Sequence, residues 1–122
     1  MKEKLNVAEF KDTLIRALDE IDLCKKTMRT IPCKDLKEKL SKILNDFTQL
    51  KRAMWEKDVE FIRNNLVIFT ELKRLCICVK RGISTIDNNT ISDKEKPHSI
   101  KNELNEAYSV IEDILFTLNT SI

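Results

Sequence analysis

The chain has 122 residues, of which 42% are hydrophobic and 34% are charged, and its formal net charge is +2. This length fits a single domain built around one apolar core. A net charge so close to zero does not by itself predict nucleic-acid binding. The chain contains one glycine and two prolines, too few for a sheet or a loop-rich fold. The composition therefore predicts long helices with few connections.

The sequence contains no apolar stretch of about 18 residues, so it predicts no membrane-spanning helix. Its first ten residues are charged and lack the apolar segment of a secretory signal. We therefore expect a cytoplasmic or nuclear protein and favour this location over secretion. In such a compartment the four cysteines would be reduced thiols.

The first predicted helix spans residues 7–30. Asn6 can cap it, and Glu9 stands three residues later, where the acid of a capping box belongs. Apolar residues then recur at spacings of three and four, as expected for a helix with one buried face. These residues are Val7, Phe10, Leu14, Ala17, Ile21, Cys24, Met28 and Ile31. Pro32 ends the helix because proline disfavours the helical conformation in the residue before it.

The second predicted helix spans residues 33–56 and follows after a very short link. Its apolar seam has the same alternating spacing and consists of Leu36, Leu40, Ile43, Phe47, Leu50 and Met54. Two amphipathic helices joined by so short a link form an antiparallel hairpin.

The third predicted helix spans residues 58–81. The apolar pattern shifts by one position at Trp55, and Asp58 could cap a new helix, so we place a break between them. Gly82 is the expected left-handed stop. No glycine or proline marks the break, so the alternative is one continuous helix over 33–81, stabilised in an intertwined dimer.

Residues 83–98 form the one long loop, and the fourth predicted helix spans 99–119. The apolar seam of this helix consists of Ile100, Leu104, Ala107, Ile111, Ile114 and Leu118. Four helices of similar length with short first connections predict one all-α domain over residues 1–122. Its architecture would be an up-down-up-down four-helix bundle, either monomeric or dimeric.

The third predicted helix carries more apolar surface than one core requires. At 100° per residue, Ile68, Leu72 and Leu75 share the stripe that would face the core. Other apolar residues lie outside this stripe, which predicts a partner interface made of Trp55, Val59, Ile62, Leu66, Val67 and Ile77. The alternative is that loop 83–98 folds over this face and makes it part of a longer core.

One end of the predicted bundle gathers basic residues, since it combines the ends of helices 1 and 3 with the starts of helices 2 and 4. A basic end could bind an anion or nucleic acid. The candidates are Lys25, Lys26, Arg29, Lys34, Lys73, Arg74, Lys80 and Arg81. The competing interpretation is a solvated surface whose cations favour the C-terminal ends of two helix dipoles.

The cysteines have no metal-binding pattern. Cys76 and Cys78 would point to opposite faces of a helix, and no Cys-x₂₋₄-Cys knuckle exists. We expect mainly core thiols, with Cys24 and Cys76 as the first pair to test for a disulfide. Cys33 follows a helix start beside a lysine, which makes it the candidate reactive thiol.

The sequence offers little for catalysis. The single histidine, His98, lies beside the predicted loop, and no glycine-rich phosphate motif exists. We expect no cofactor, no metal and no small-molecule substrate, and an enzyme is disfavoured. The first hypothesis is an interaction module, acting as an adaptor, inhibitor or assembly subunit, that binds a protein or itself. The alternatives are a nucleic-acid- or phosphate-binding bundle and a thiol or metal sensor.

Overall fold

A computed structural model describes residues 6–57 and 59–120, without the side chains of residues 57, 59, 61 and 120. Its helices are α1 (Val7–Thr27), α2 (Cys33–Lys57), α3 (Val59–Asn64), α4 (Leu66–Asp87) and α5 (Lys96–Thr120). No strand occurs within these residues, which confirms the predicted all-α class.

Helix α1 begins and ends close to its predicted limits. The side chain of Asn6 accepts a hydrogen bond from the backbone N–H of Glu9 at 3.2 Å, as the capping pattern predicts. The helix ends at Thr27, three residues before its predicted end, and a turn follows in which the N–H of Thr30 donates to the carbonyl of Thr27. The carbonyl of Pro32 then accepts hydrogen bonds from the first turn of α2.

The four long helices pack side by side around one core. Helix α1 packs against α2 and α5, and α4 packs against the same two helices from the other side. The short helix α3 packs against α2 and α4. The predicted seams supply the core, whose largest fully buried side chains include Phe10, Leu14, Phe47, Leu72 and Ile111. Each such burial stabilises the fold by about 1.5–3 kcal/mol relative to exposure.

The third predicted helix, 58–81, is in fact two helices. Asn65 separates them, with φ −135° and ψ 48°, outside the helical region. Asn64 and Asn65 stand together here, and asparagine favours caps and turns over helix interiors because its side chain competes for backbone hydrogen bonds. Helix α4 also packs along α2, so a continuous helix over 33–81 is wrong. The predicted cap, Asp58, lies outside the described residues.

The expected helix stop at Gly82 is also wrong. Gly82 is buried inside α4, which continues to Asp87, and it does not have a positive φ. A Cβ atom at this position would lie 3.4 Å from Cδ1 of Leu40 and 3.9 Å from Cγ2 of Ile100. The glycine therefore allows close approach to α2 and α5 rather than a left-handed turn.

The connection between the last two helices is 88–95, shorter than the predicted loop 83–98. It begins with a local turn in which the side chain of Asn88 accepts hydrogen bonds from the N–H and hydroxyl of Thr90. Helix α5 starts at Lys96, three residues before its predicted start. The side chain of Lys96 is nearly buried, and its ammonium lies 3.0 Å from a carboxylate oxygen of Asp93.

Candidate functional site

Helix α4 presents large apolar side chains to solvent. Leu66, Val67 and Ile77 are 60%, 65% and 49% exposed, and Trp55, near the end of α2, is 62% exposed. We call these four side chains the α4 patch. The other exposed large apolar side chains among the described residues are Ile15, Leu23 and Phe116. Four of the six predicted interface residues therefore lie at the surface.

The remaining two predicted interface residues do not contribute to this surface. Ile62 is 6% exposed and belongs to the core. The break at Asn65 restarts the helical phase, so α3 turns its apolar side inward and packs on α2 and α4. The side chain of Val59 lies outside the described residues. Ile83 and Ile86 are part of α4 itself, so they do not fold over the patch as a loop.

The outward face of α4 is narrow because the helix is buried on two sides. Cys76 and Cys78 are only 4% and 2% exposed, although residues two apart on a helix point about 200° from each other. One flank of α4 packs on α2 and the other on α5. Ile77, between the two cysteines, is left facing solvent.

An aromatic stack joins α2 to α4 at one edge of the patch. The rings of Trp55 and Phe69 lie 6.1 Å apart between centroids with a 28° angle between their planes. The ammonium of Lys73 lies 5.3 Å from the centroid of the Phe69 ring, within the range of a cation–π interaction. The stack fixes the position of Trp55 while leaving most of its surface exposed.

Arg74 links the opposite edge of the patch to α5. Its Nε and Nη2 atoms donate hydrogen bonds to Glu106 at 3.0 and 2.6 Å, and its Nη1 atom lies 3.6 Å from a carboxylate oxygen of Glu71. The hydrogen bond with Glu106 raises the pKa of Arg74 and lowers the pKa of Glu106. Beside this pair, Val67 and Asp113 help to line a small cavity of ≈ 240 Å³.

A thiol and two carboxylates meet next to Arg74. The ligand atoms of Cys78, Glu103 and Glu106 lie within 4.8 Å of one another. Oε2 of Glu103 is buried without a hydrogen-bond partner. Burial, followed by the nearby charges of Glu106 and Glu103, raises the pKa of Cys78 to about 11. Because the thiolate rather than the thiol is the nucleophile, this raised pKa makes Cys78 a poor reactive thiol.

The sequence alone did not predict this cluster of Cys78, Glu103 and Glu106. Glu103 and Glu106 are three residues apart and flank the apolar seam of α5, so they share one side of the helix. This spacing is the feature of the sequence that could have indicated a pair of neighbouring carboxylates. It could not show which side chain of α4 lies opposite, because the register of two packed helices depends on the whole core.

The predicted basic residues differ in their availability. Lys25 lies 4.9 Å from the Tyr108 ring centroid, and Lys26 pairs with Asp22 at 2.9 Å. Lys73 and Arg74 have the partners described above. The side chains of Arg29, Lys34, Lys80 and Arg81 form no hydrogen bond or ion pair within the described parts of the chain, although the charge of Arg81 helps to lower the pKa of Glu106.

These four residues lie toward the same end of the molecule. An ion pair of 2.8 Å between Lys37 and Asp87 joins the start of α2 to the end of α4. A Cβ atom at Gly82, near the end of α4, would meet Leu40 and Ile100 in the first halves of α2 and α5. The predicted basic end therefore reduces to a smaller set of unengaged cations.

The cysteines differ in burial and in the charges around them. All four cysteines are free, and only Cys33 is partly exposed. Burial raises the pKa of Cys24, while Lys39 lowers it and Glu20 raises it. Cys33 lies in the first turn of α2 and packs partly against the core. Because the other three cysteines are buried, it is the most accessible thiol.

No protein-family model, curated protein or solved structure matches this chain. Within the residues that the structure describes, no helix has the length and apolar character needed to cross a bilayer. The surface geometry therefore carries the functional argument alone.

Proposed function

We propose that this chain is a non-enzymatic protein-interaction module that binds an acidic protein partner through the α4 patch. The observation that carries the proposal is the exposure of Leu66, Val67 and Ile77 on one helix whose other sides are buried. Isolated exposed apolar residues are ordinary, but several on one helix, with the exposed Trp55 stacked beside them, are typical of association sites. We further propose an up-down-up-down four-helix arrangement of α1, α2, α4 and α5, with α3 as a short addition.

The charges around the patch favour an acidic partner over a second copy of the chain. Lys73, Lys80 and Arg81 are exposed on the same helix as Ile77, and the acidic Glu71 is engaged by Arg74. A two-fold dimer through this face would bring the same cations of two copies together. An acidic surface would instead be attracted to them, with the apolar side chains providing most of the affinity.

The test compares two double variants that change the same number of exposed apolar residues. Leu66→Glu with Ile77→Lys alters the patch, and Ile15→Glu with Leu23→Lys is the matched control on α1. A partner recovered from native cells with the unmodified chain would be purified and titrated by calorimetry. We expect the patch variant to bind at least tenfold more weakly, about 1.4 kcal/mol, and the control to bind normally.

Two outcomes contradict this proposal. One is equal loss of binding in both variants, which would indicate a general effect on folding. The other is a concentration-dependent dimer, seen by light scattering, that dissociates in the patch variant. That result would assign the patch to self-association instead.

A second candidate function is supported by the unengaged cations Arg29, Lys34, Lys80 and Arg81. A protein that neutralises phosphates with such cations loses affinity as salt rises, because binding releases condensed counterions. Fluorescence anisotropy with a single-stranded RNA at 50 and 200 mM salt tests this candidate. Binding that weakens severalfold with salt and disappears in Arg29→Glu, Lys34→Glu, Lys80→Glu would support it, whereas salt-insensitive binding would reject it.

A further inference from the structure

A groove separates α1 from α2 and contains an open cavity of ≈ 800 Å³. Its lining includes Ala17 on α1 and Ile43, Leu50 and Ala53 on α2. Ala17 and Ile43 are nearly buried, whereas Leu50 and Ala53 are partly exposed. The groove belongs to a different pair of helices from the α4 patch, so it needs an explanation of its own.

The groove is unexpected because α1 and α2 are neighbours in the chain. Their link is short, yet they make the sparsest contact of the adjacent long helices. Helix α1 packs mainly on α5, and α2 packs mainly on α4. The side chains facing the gap are partly small, such as Ala17 and Ala53, and do not fill it.

Charges of opposite sign line the two sides of the groove. On α1 these are Arg16, Asp19 and Glu20, and on α2 they are Lys39, Lys42 and Asp46. All of these residues line the same groove, and in an antiparallel hairpin Glu20 would lie level with Lys39 and Lys42, and Arg16 with Asp46. Both Glu20 and Lys39 influence the pKa of Cys24, which burial chiefly raises.

These complementary charges form no ion pair across the groove among the described residues. Arg16 instead donates hydrogen bonds within its own helix, to the carbonyl of Asp12 and the hydroxyl of Thr13. In coiled coils, by contrast, opposite charges beside the apolar seam form ion pairs between the helices. Here the apolar floor lies between two charged rims that remain available to a third element.

We propose that this groove binds an amphipathic helix from a partner protein. Its apolar stripe would lie over Ala17, Leu50 and Ala53. An acidic flank would face Lys39 and Lys42, and a basic flank would face Asp19 and Glu20. Helix-in-groove docking uses this combination of a narrow apolar stripe and charged borders. A nucleic acid does not fit, because half of the rim charge is negative.

The same charges argue for a partner helix rather than one from a second copy. The long helices α1, α2, α4 and α5 each bury an apolar stripe in the core of their own chain. The exposed apolar surface of a second copy is the α4 patch, but Lys73, Lys80 and Arg81 are exposed on the same helix, so it does not offer the acidic flank that the groove requires. The helix must therefore come from another protein.

Three stapled helical peptides with the same alanine–leucine stripe are the probes. The first has glutamates on one flank and lysines on the other, the second has glutamates on both, and the third has lysines on both. Affinity is measured by fluorescence anisotropy at low salt. We expect the mixed peptide to bind at least tenfold more tightly than either of the others. Equal affinity for all three peptides, or no binding of any, overturns the proposal.

Charge reversal on one rim should change which peptide is preferred. Lys39→Glu with Lys42→Glu makes both rims acidic and should favour the all-lysine peptide. Asp19→Lys with Glu20→Lys makes both rims basic and should favour the all-glutamate peptide. Because the two rim variants are independent, either one tests the proposal if the other fails to fold. The matched control, Lys94→Glu with Lys101→Glu, should keep the original order. A shift in that control, or none in the folded rim variants, rejects the groove as the binding site.

Discussion

Two seams between neighbouring helices, α4–α5 and α1–α2, differ sharply in how tightly they are packed. The seam between α4 and α5 is closed: Gly82 allows close approach, Cys78 is buried, and Arg74 bridges to Glu106. The seam between α1 and α2 is open, and its rim charges do not meet. Closeness along the chain therefore does not decide which helices pack tightly. The size of the side chains at the crossing and the presence of a bridging pair decide it.

The contrast also separates two kinds of surface. Helix α4 packs closely on α5 at the closed seam, and its outward apolar residues form the α4 patch. An open seam leaves a concave surface with apolar and charged walls. The first suits a flat protein partner and the second suits an inserted helix.

The largest expected effect comes from a cavity in the closed part of the core. Leu72 is fully buried on α4, whereas Leu50 is only partly buried beside the groove. We expect Leu72→Ala to lower the free energy of unfolding by about 2–5 kcal/mol. Leu50→Ala should cost less than half as much, because the open side already exposes part of that side chain. Urea unfolding of both variants measures the difference, and equal losses would mean that the groove is closed in solution.

Substitutions at Gly82 sharpen the comparison at the point where α4 meets its neighbours. We expect Gly82→Leu to cost about 1–3 kcal/mol by overpacking. Gly82→Ala places a Cβ at ordinary contact distance from Leu40 and Ile100, in a helical conformation. The change should therefore be neutral or stabilise the protein by up to about 1 kcal/mol, since alanine favours helices over glycine. Loss of stability in the alanine variant, measured by thermal unfolding, would contradict the helical conformation of this glycine.

Much of the core was predictable from the sequence, whereas the helix ends and the seams were not. The alternating spacing of residues such as Phe10, Leu14 and Leu104 reports burial directly. The predicted helix stop at Gly82 was wrong because glycine occurs both at helix ends and at points of close helix packing. Only the position of the neighbouring helix distinguishes these two roles. The prediction that Ile62 belongs to the partner interface was wrong because the break at Asn65 changed the helical phase. The groove left no sequence signal, since the apolar seams of α1 and α2 are as regular as the others.

The pH dependence of stability tests whether the closed seam is dry around Cys78. Burial raises the pKa of this thiol from 9.0 to about 11, so the folded protein keeps a proton that the unfolded chain releases. The resulting stability is complete below pH 9 and decreases by about 1.4 kcal/mol per pH unit between about pH 9 and 11. Denaturant unfolding of the native chain and of Cys78→Ala across this range isolates the contribution. Parallel curves for the two proteins would show that the thiol is solvated.

The smallest expected effect concerns the ion pair that closes the seam at the surface. The hydrogen bond from Arg74 lowers the pKa of Glu106, so this pair stabilises the fold above the ordinary pKa of glutamate and loses that contribution as pH falls through the lowered value. Both side chains are partly exposed, and solvent screening keeps the effect on stability small. The sensitive measurement is therefore the NMR titration of the Glu106 carboxyl carbon. We expect Arg74→Met to raise the pKa of Glu106 by removing its hydrogen-bond donor. Arg16→Met, beside the open groove, should leave that titration unchanged. A shift in the Arg16 variant would mean that long-range charge, rather than direct contact across a closed seam, sets the ionisation of Glu106.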